Sequence, residues 1–242
     1  MWCLLWVLPG HATQVVVNVE GDYPALEDNA EVFIGDVEGR SADNLRRYVS
    51  TAKKQVQEAL KALGYYSPLI EWEVVEGEGE DGLAQLTLTV IPGEPVRIAS
   101  REVVIEGPAA EDDSFQAAIP KSPSKGDVLN HGEYTTLRQS IQNRARVMGY
   151  FDGEFVSRTL TVDPEKRTAA ISIRFRSGER YRLGDVDFPA GHGFETSLLD
   201  KFVTFDPGQP YHADEIARLS RDLSNSGYFS GVDIDASPGS AR

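Results

Sequence analysis

The sequence predicts an α+β protein built from three tandem βααββ units, the third lacking its last strand. Three observations carry this reading. Helical patterns of apolar residues recur three times, each closed by a glycine and two aromatic residues. Runs of alternating apolar and polar residues flank those helices. Short turns containing Gly-Glu separate one repeat from the next.

Composition agrees with several small folded domains. A chain of 242 residues, 40% hydrophobic and 26% charged, is ordinary for folded protein. Its net charge of −14 repels phosphate and argues against a nucleic-acid partner. The single cysteine, Cys3, excludes an internal disulfide framework and a Cys-rich zinc site. No apolar run approaches the roughly 20 residues a membrane-spanning helix needs.

Residues 1–12 (MWCLLWVLPGHA) are apolar, with a breaker at Pro9-Gly10 and a small residue at Ala12. This predicts the end of an export signal and its cleavage site, although no basic residue precedes it; a short buried strand is the alternative. Removal of the segment would take Cys3 with it, which suits an oxidising compartment.

The first unit, residues 13–92, opens with a strand at Val15, Val17 and Val19 and a short helix at Leu26, Ala30, Phe33, Ile34 and Val37. A long helix follows, its apolar face formed by Leu45, Val49, Ala52, Val56, Ala59 and Leu63. Gly64-Tyr65-Tyr66 closes it, the glycine supplying the left-handed residue that ends a helix. Strands follow at Ile70–Val75 and at Leu86, Leu88 and Val90. The second unit, 93–176, starts a strand near Val103-Val104-Ile105, carries a long helix at Tyr134, Leu137, Ile141, Ala145 and Met148, and turns at Gly149-Tyr150-Phe151. Asn130 and Glu133 have capping-box spacing at its entry. Strands at Phe155–Val162 and at Ile171, Ile173 and Phe175 complete it. The third unit, 177–242, has a short helix at Leu198, Leu199, Phe202 and Val203, a long helix at Ile216, Leu219 and Leu223, and the turn Gly227-Tyr228-Phe229. Val232 and Ile234 begin a second strand, but Ser237-Pro238-Gly239-Ser240 reads as a turn and no closing strand follows, which predicts a piece of a longer protein. The turn glycines are 85 and 78 residues apart, a spacing that makes them repeats rather than coincidences.

Tandem βααββ units with these Gly-Tyr-Tyr and Gly-Tyr-Phe turns, joined at Pro92-Gly93-Glu94 and Ser177-Gly178-Glu179, resemble the POTRA (polypeptide-transport-associated) domain family. In order and spacing they are similar to the periplasmic region of the TamA family of translocation and assembly factors, over about residues 13–238. The stretches Leu60–Ser67, Pro92–Val96, Val128–Tyr134, Gly149–Phe151 and Ser177–Gly184 carry that similarity. The resemblance implies a periplasmic, non-catalytic role: docking unfolded outer-membrane clients, autotransporters among them, and holding a TamB-like inner-membrane-anchored partner on the first unit. It also implies attachment to an outer-membrane barrel, which is not within these 242 residues. A BamA-like or two-partner-secretion transporter, or spacer units of an exported enzyme, are the other readings.

The mechanism expected with that resemblance is strand addition, in which an extended segment pairs with an open sheet edge. The strand after each long helix lies at the edge in the family fold. The candidates are therefore Ile70, Trp72 and Val74 in the first unit, Phe155, Ser157 and Thr159 in the second, and Val232–Asp235 in the third. Glu71, Glu73 and Glu76 would blunt the first edge. Charge is uneven, at −9, 0 and −5 over the three units, so the first would be repelled most by anionic lipid.

No catalytic, cofactor or metal site emerges. The acidic run Glu76–Asp81 lacks the register of a calcium loop and sits between two strands, where a solvated hairpin is expected. His11, His131, His192 and His212 are scattered, with no His-x-x-x-His pair. His131 and His212 both fall at the start of a long helix, where capping is the simpler role. Neither a nucleophile elbow nor a phosphate loop is present. Trp72, Tyr65 and Tyr66 read as strand packing rather than a ligand platform.

Overall fold

Gln14 shows how the first core is closed at its edge. It is 3% exposed, and it donates to the carbonyls of Arg40 (2.9 Å) and Ala84 (3.0 Å) while accepting from the Arg40 N–H (2.8 Å), so burial leaves its amide satisfied. The structure is a computed structural model that describes residues 14–35, 37, 39–76, 83–189 and 193–236. The segment 1–12 with Cys3, most of the acidic run, His192 and the turn at 237–240 lie outside the described residues.

Two compact units organise the chain. One holds Met1–Ala99, Lys125–Gly132 and Val162–Ala169; the other holds Ser100–Ser124, Glu133–Thr161 and Ala170–Arg242. The first contains β1 (Val15–Val19), α1 (Pro24–Ile34), α2 (Ala42–Ala62), β2 (Leu69–Val75) and β3 (Gln85–Ile91). Its sheet order is β1-β3-β2, so the last strand in sequence is the central one. β3 runs parallel to β1 (Val17 opposite Leu88) and antiparallel to β2 (Trp72 opposite Leu88). Alternation puts Leu86, Leu88 and Val90 wholly in the core, against Leu45, Val56, Ala59 and Leu60 of α2. Pro24 and the Ser41 N-cap start the two helices where their free donors need no helical partner. Phe33 departs from the expected inward set: it is 42% exposed, at the margin of the buried stripe of Leu26, Ala30 and Ile34, and Val37 enters the core from beyond the helix.

A second sheet, of order β4-β6-β5, is made by β4 (Arg97–Glu106), β5 (Glu154–Asp163) and β6 (Thr168–Arg176). Again the last strand is central. α3 (Asp113–Ala117) and α4 (His131–Val147) precede β5. Asp112 caps α3 by accepting from the Ser114 and Phe115 N–H groups. Phe115 is fully buried, edge-on to Tyr150 at 5.7 Å and stacked with Phe175 at 6.4 Å.

The third repeat corrects the sequence reading. α5 (Thr196–Leu199) and α6 (Ala213–Asn225) are present, but the described residues of 177–236 contain no strand, only an isolated bridge between Arg182 and Pro210. Val232–Asp235 is therefore not an edge strand. The physical reason lies in the order of the other two sheets. The central strand is the last made, and it alone hydrogen-bonds both neighbours. Among the described residues of the third repeat no such central strand is present to pair with the others.

Candidate functional site

Two sheet edges and three glycine turns are the features the sequence singled out. β2 pairs on one side only, with β3. Ile70 is buried and Val74 half-buried, yet Trp72, which shares their face, is 48% exposed. With Leu69 at 57% and Val75 at 50%, this edge offers apolar side chains that nothing among the described residues covers. Glu71 and Glu73 are exposed beside them, and Glu76 is held by Arg46 at 3.2 Å. Tyr65 packs edge-on against Tyr23 at 6.0 Å.

β5 occupies the corresponding edge of the second sheet. Phe155 packs edge-on against Phe175 at 5.1 Å, and the Arg158 guanidinium lies 5.9 Å from the Phe155 ring. Phe155 and Ser157 are half-buried, but Thr159 is exposed. Both Arg158 and Thr159 are exposed, while Leu160 and Val162 further along the strand are half-buried.

The glycine turns do more than end helices. At Gly64 (φ +93°) the Tyr65 N–H reaches back to the Leu60 carbonyl (3.0 Å), and the Gly64 carbonyl accepts the Val96 N–H (2.8 Å). At Gly149 (φ +81°) the Tyr150 N–H reaches the Ala145 carbonyl (2.8 Å), and the glycine carbonyl accepts the Tyr181 N–H (2.9 Å). Each clasped residue then receives a second strand-like contact: Leu129 N–H to the Val96 carbonyl (2.9 Å), Tyr211 N–H to the Tyr181 carbonyl (2.9 Å). A methyl on Gly64 would sit 2.4 Å from the Leu129 oxygen, and one on Gly149 2.7 Å from the Tyr211 Cβ. The turn of one repeat is therefore a socket for the next. Arg97 and Arg182 reinforce the same two places, donating to the carbonyls of Gly126 (3.0 Å) and Gly208 (2.7 Å). Gly227 (φ +73°) has the same backbone, but nothing lies within 4 Å of its missing methyl, and Tyr228 is 45% exposed.

Around the sockets the side chains differ. At the first, Tyr66 Oη and His131 Nε2 share a hydrogen bond at 2.6 Å. Burial holds the His131 imidazole below its ordinary pKa, and nearby Lys61 adds to that. Burial likewise raises the Tyr66 hydroxyl. At the second, Phe151 packs against Tyr181 (5.3 Å) and Tyr211 (4.9 Å). Arg180 donates to the Met148 carbonyl (2.8 Å), the Tyr211 carbonyl (3.1 Å) and Asp112 Oδ2 (3.1 Å). Burial pushes the Asp112 carboxyl up, but hydrogen bonds from Ser114 and Phe115 and the Arg180 charge outweigh it and leave the group below the usual carboxylate range. The histidines are not equivalent. Asn130 and His212 are the matching caps, accepting from Gly132 N–H (2.8 Å) and Asp214 N–H (3.3 Å), while His131 is already inside α4.

Among the described residues no group of three or more His, Cys, Asp or Glu side chains is placed to hold a metal, and no helix is long and apolar enough to cross a membrane. Sequence reasoning missed the sockets because their partners lie 32 residues or more downstream of each glycine, at Val96 and Tyr181. The available signal was the pairing of each Gly-aromatic turn with the Gly-Glu joint that follows it.

Residues 16–92 match the family model described as POTRA domain TamA domain 1, and residues 98–178 match the POTRA model described as surface antigen variable number repeat. Together the two matches span about two thirds of the chain. Among solved structures, POTRA3-5 of Haemophilus influenzae BamA is similar at 16% identity and a TM-score of 0.43, covering 93% of this chain and 92% of that one. The N-terminal domain of Omp85 from Thermosynechococcus elongatus is 21% identical at a TM-score of 0.34, covering 95% and 92%. POTRA1-3 of the periplasmic domain of Omp85 from Anabaena is 16% identical at 0.31, covering 95% and 90%.

Proposed function

Because the chain belongs to the POTRA-domain family, we propose that it is the periplasmic scaffold of an outer-membrane protein assembly factor of the TamA kind. On this reading it divides at 92 and 176 into three units that work on a barrel carried by the full protein. It holds extended client segments, autotransporters among them, by strand addition at β2 and β5. A TamB-like partner anchored in the inner membrane docks on the first unit.

The observation that carries the reading is the β2 edge, unpaired on one side and flanked by exposed Leu69, Trp72 and Val75. Backbone pairing is largely indifferent to sequence, which suits a receptor for many clients. The exposed apolar side chains add affinity without fixing one partner. Glu71 and Glu73 disfavour self-pairing of this edge, since like charges opposed across strands repel. The test is crosslinking from photo-reactive residues placed singly along Leu69–Val75 and Glu154–Asp163, in cells making an autotransporter. Crosslinks to the client or the anchored partner at alternate positions are expected. None from either strand, with the protein intact and exported, would reduce these units to spacers.

A further inference from the structure

The hydrogen bonds around the first sheet fix which groups of β2 remain open. The Leu86 N–H donates to the Gln14 carbonyl (2.7 Å), and the Val90 carbonyl accepts the Glu20 N–H (2.8 Å). Both bonds run toward β1, so the backbone of Leu86, Leu88 and Val90 is turned to β1 and that of the residues between them to β2. The register then makes Leu69, Glu71, Glu73 and Val75 the residues of β2 that bond to β3. The N–H and C=O groups of Ile70, Trp72 and Val74 are left on the open side, and among the described residues none of them makes a backbone hydrogen bond outside the sheet.

Side chains follow the same register. Residues opposite one another in a ladder share a face of the sheet. A segment added to β2 therefore has one residue opposite Trp72, on the face that Ile70 and Val74 turn to the core. The residues before and after it stand beside Glu71 and Glu73, on the other face. Trp72, at 48% exposure, offers the facing residue an apolar surface. Glu71 and Glu73 are exposed and carry no ion pair among the described residues, unlike Glu76, which Arg46 holds. The β5 edge differs: its exposed carboxylate, Glu154, is bridged to Arg176 at 3.2 Å, and Arg158 is exposed further along.

We infer that β2 selects extended segments by a side-chain pattern: apolar residues at every second position, in register with Ile70, Trp72 and Val74, and lysine or arginine between them, beside Glu71 and Glu73. The inference rests on strand addition at β2 as proposed above and names the class of segment taken. Either direction of the added strand satisfies it, because the alternation reads alike both ways. The two carboxylates that oppose pairing of β2 with a second β2 thereby favour a segment of opposite charge.

The test uses two synthetic peptides of palindromic sequence, KVKIKVK and EVEIEVE, titrated against the full 242-residue chain and followed by residue-resolved amide hydrogen exchange. In the free chain the amides of Ile70, Trp72 and Val74 should exchange fast and those of Glu71 and Glu73 slowly. The lysine peptide should slow the first three saturably and leave the β5 amides unchanged. The glutamate peptide should bind about tenfold more weakly, the size of reversing two cross-strand charge pairs. Glu71→Lys with Glu73→Lys should invert that preference, with slow exchange at 71 and 73 showing that β2 is still in its sheet. Asp28→Lys with Glu31→Lys, at exposed positions on α1, makes the same change of net charge and should leave the preference intact. Equal slowing of Ile70, Trp72 and Val74 by both peptides would overturn the pattern and leave strand addition at β2 standing. No slowing there by either peptide would overturn both. A preference for lysine that survives Glu71→Lys with Glu73→Lys, or that is lost in the α1 variant, would assign it to the general field of an acidic unit and overturn the role of these two carboxylates.

Discussion

The turns at Gly149 and Gly227 have the same local conformation and opposite surroundings. Both glycines are left-handed, at φ +81° and +73°, and both follow an amphipathic helix. At Gly149 the carbonyl is taken by Tyr181 and the space of a missing methyl by Tyr211; at Gly227 nothing lies within 4 Å of that space. One turn thus performs two tasks and the other only the first. The comparison separates what a glycine contributes to ending a helix from what it contributes to joining repeats.

Alanine at each turn makes that separation measurable and should give the largest effects. A left-handed alanine costs roughly 1–2 kcal/mol wherever it stands. That is the whole of the expected loss for Gly227→Ala. Gly149→Ala must also move Tyr211, and Gly64→Ala must move the Leu129 backbone, so both should lose about 3 kcal/mol or more. Denaturant melts rank the three variants. Hydrogen exchange locates the loss: the Tyr181 amide should open faster in Gly149→Ala and the Val96 amide in Gly64→Ala. Equal losses at all three positions would mean that the sockets add nothing to the turn.

Arg180 sharpens the comparison between the two filled sockets. It satisfies the Met148 and Tyr211 carbonyls and the Asp112 carboxylate at once, with its side chain 26% exposed. The matching position at the first socket, just after the Gly-Glu step, is Pro95, which has no donor to offer. Arg180→Ala should therefore cost about 2–3 kcal/mol through unsatisfied acceptors. The loss should fall on the amides of 148–150 and 211 rather than on the first sheet. Asp112 sets the pH dependence of this contact. Its folded pKa is depressed, so its contribution is present above the ordinary carboxylate pKa and is lost as pH falls through the folded value.

What could be read in advance follows from how far apart the interacting residues stand. Spacings of three and four residues located the long helices, and Val56, Leu137 and Leu219 are buried as that spacing requires. Alternation located β3 and β6 for the same reason. The sockets depend on contacts from Gly64 to Val96 and Leu129, which no local pattern encodes. Phe33 fits the helical spacing yet is 42% exposed, because spacing alone does not say which residues at the margin of the stripe the sheet covers. The strands of the third repeat were misread for a deeper reason. Val232 and Ile234 have the right composition, but a strand exists only in a ladder, and the ladder's centre belongs to a later part of a unit.

The first socket supplies the smallest effect, because a histidine meets its second aromatic residue where at the second socket Phe151 meets only the rings of Tyr181 and Tyr211. Phe151 stands where Tyr66 does, each two residues after the turn glycine, and packs on Tyr181 and Tyr211 without a proton to exchange. Tyr66 instead meets His131, whose pKa is held down by burial and by Lys61. A base depressed in the folded state binds its proton more readily when unfolded. The stability it confers is complete at neutral pH and falls as pH drops below the unfolded histidine value of about 6.5. Lowering pH from 7.5 to 5.5 should therefore speed exchange at the Val96 and Leu129 amides and leave Tyr181 and Tyr211 unchanged. His131→Phe should abolish that pH step while retaining the ring against Tyr66. A step of the same size at both sockets, or one that survives His131→Phe, would assign the pH dependence to the carboxylates and remove the distinction between the two joints.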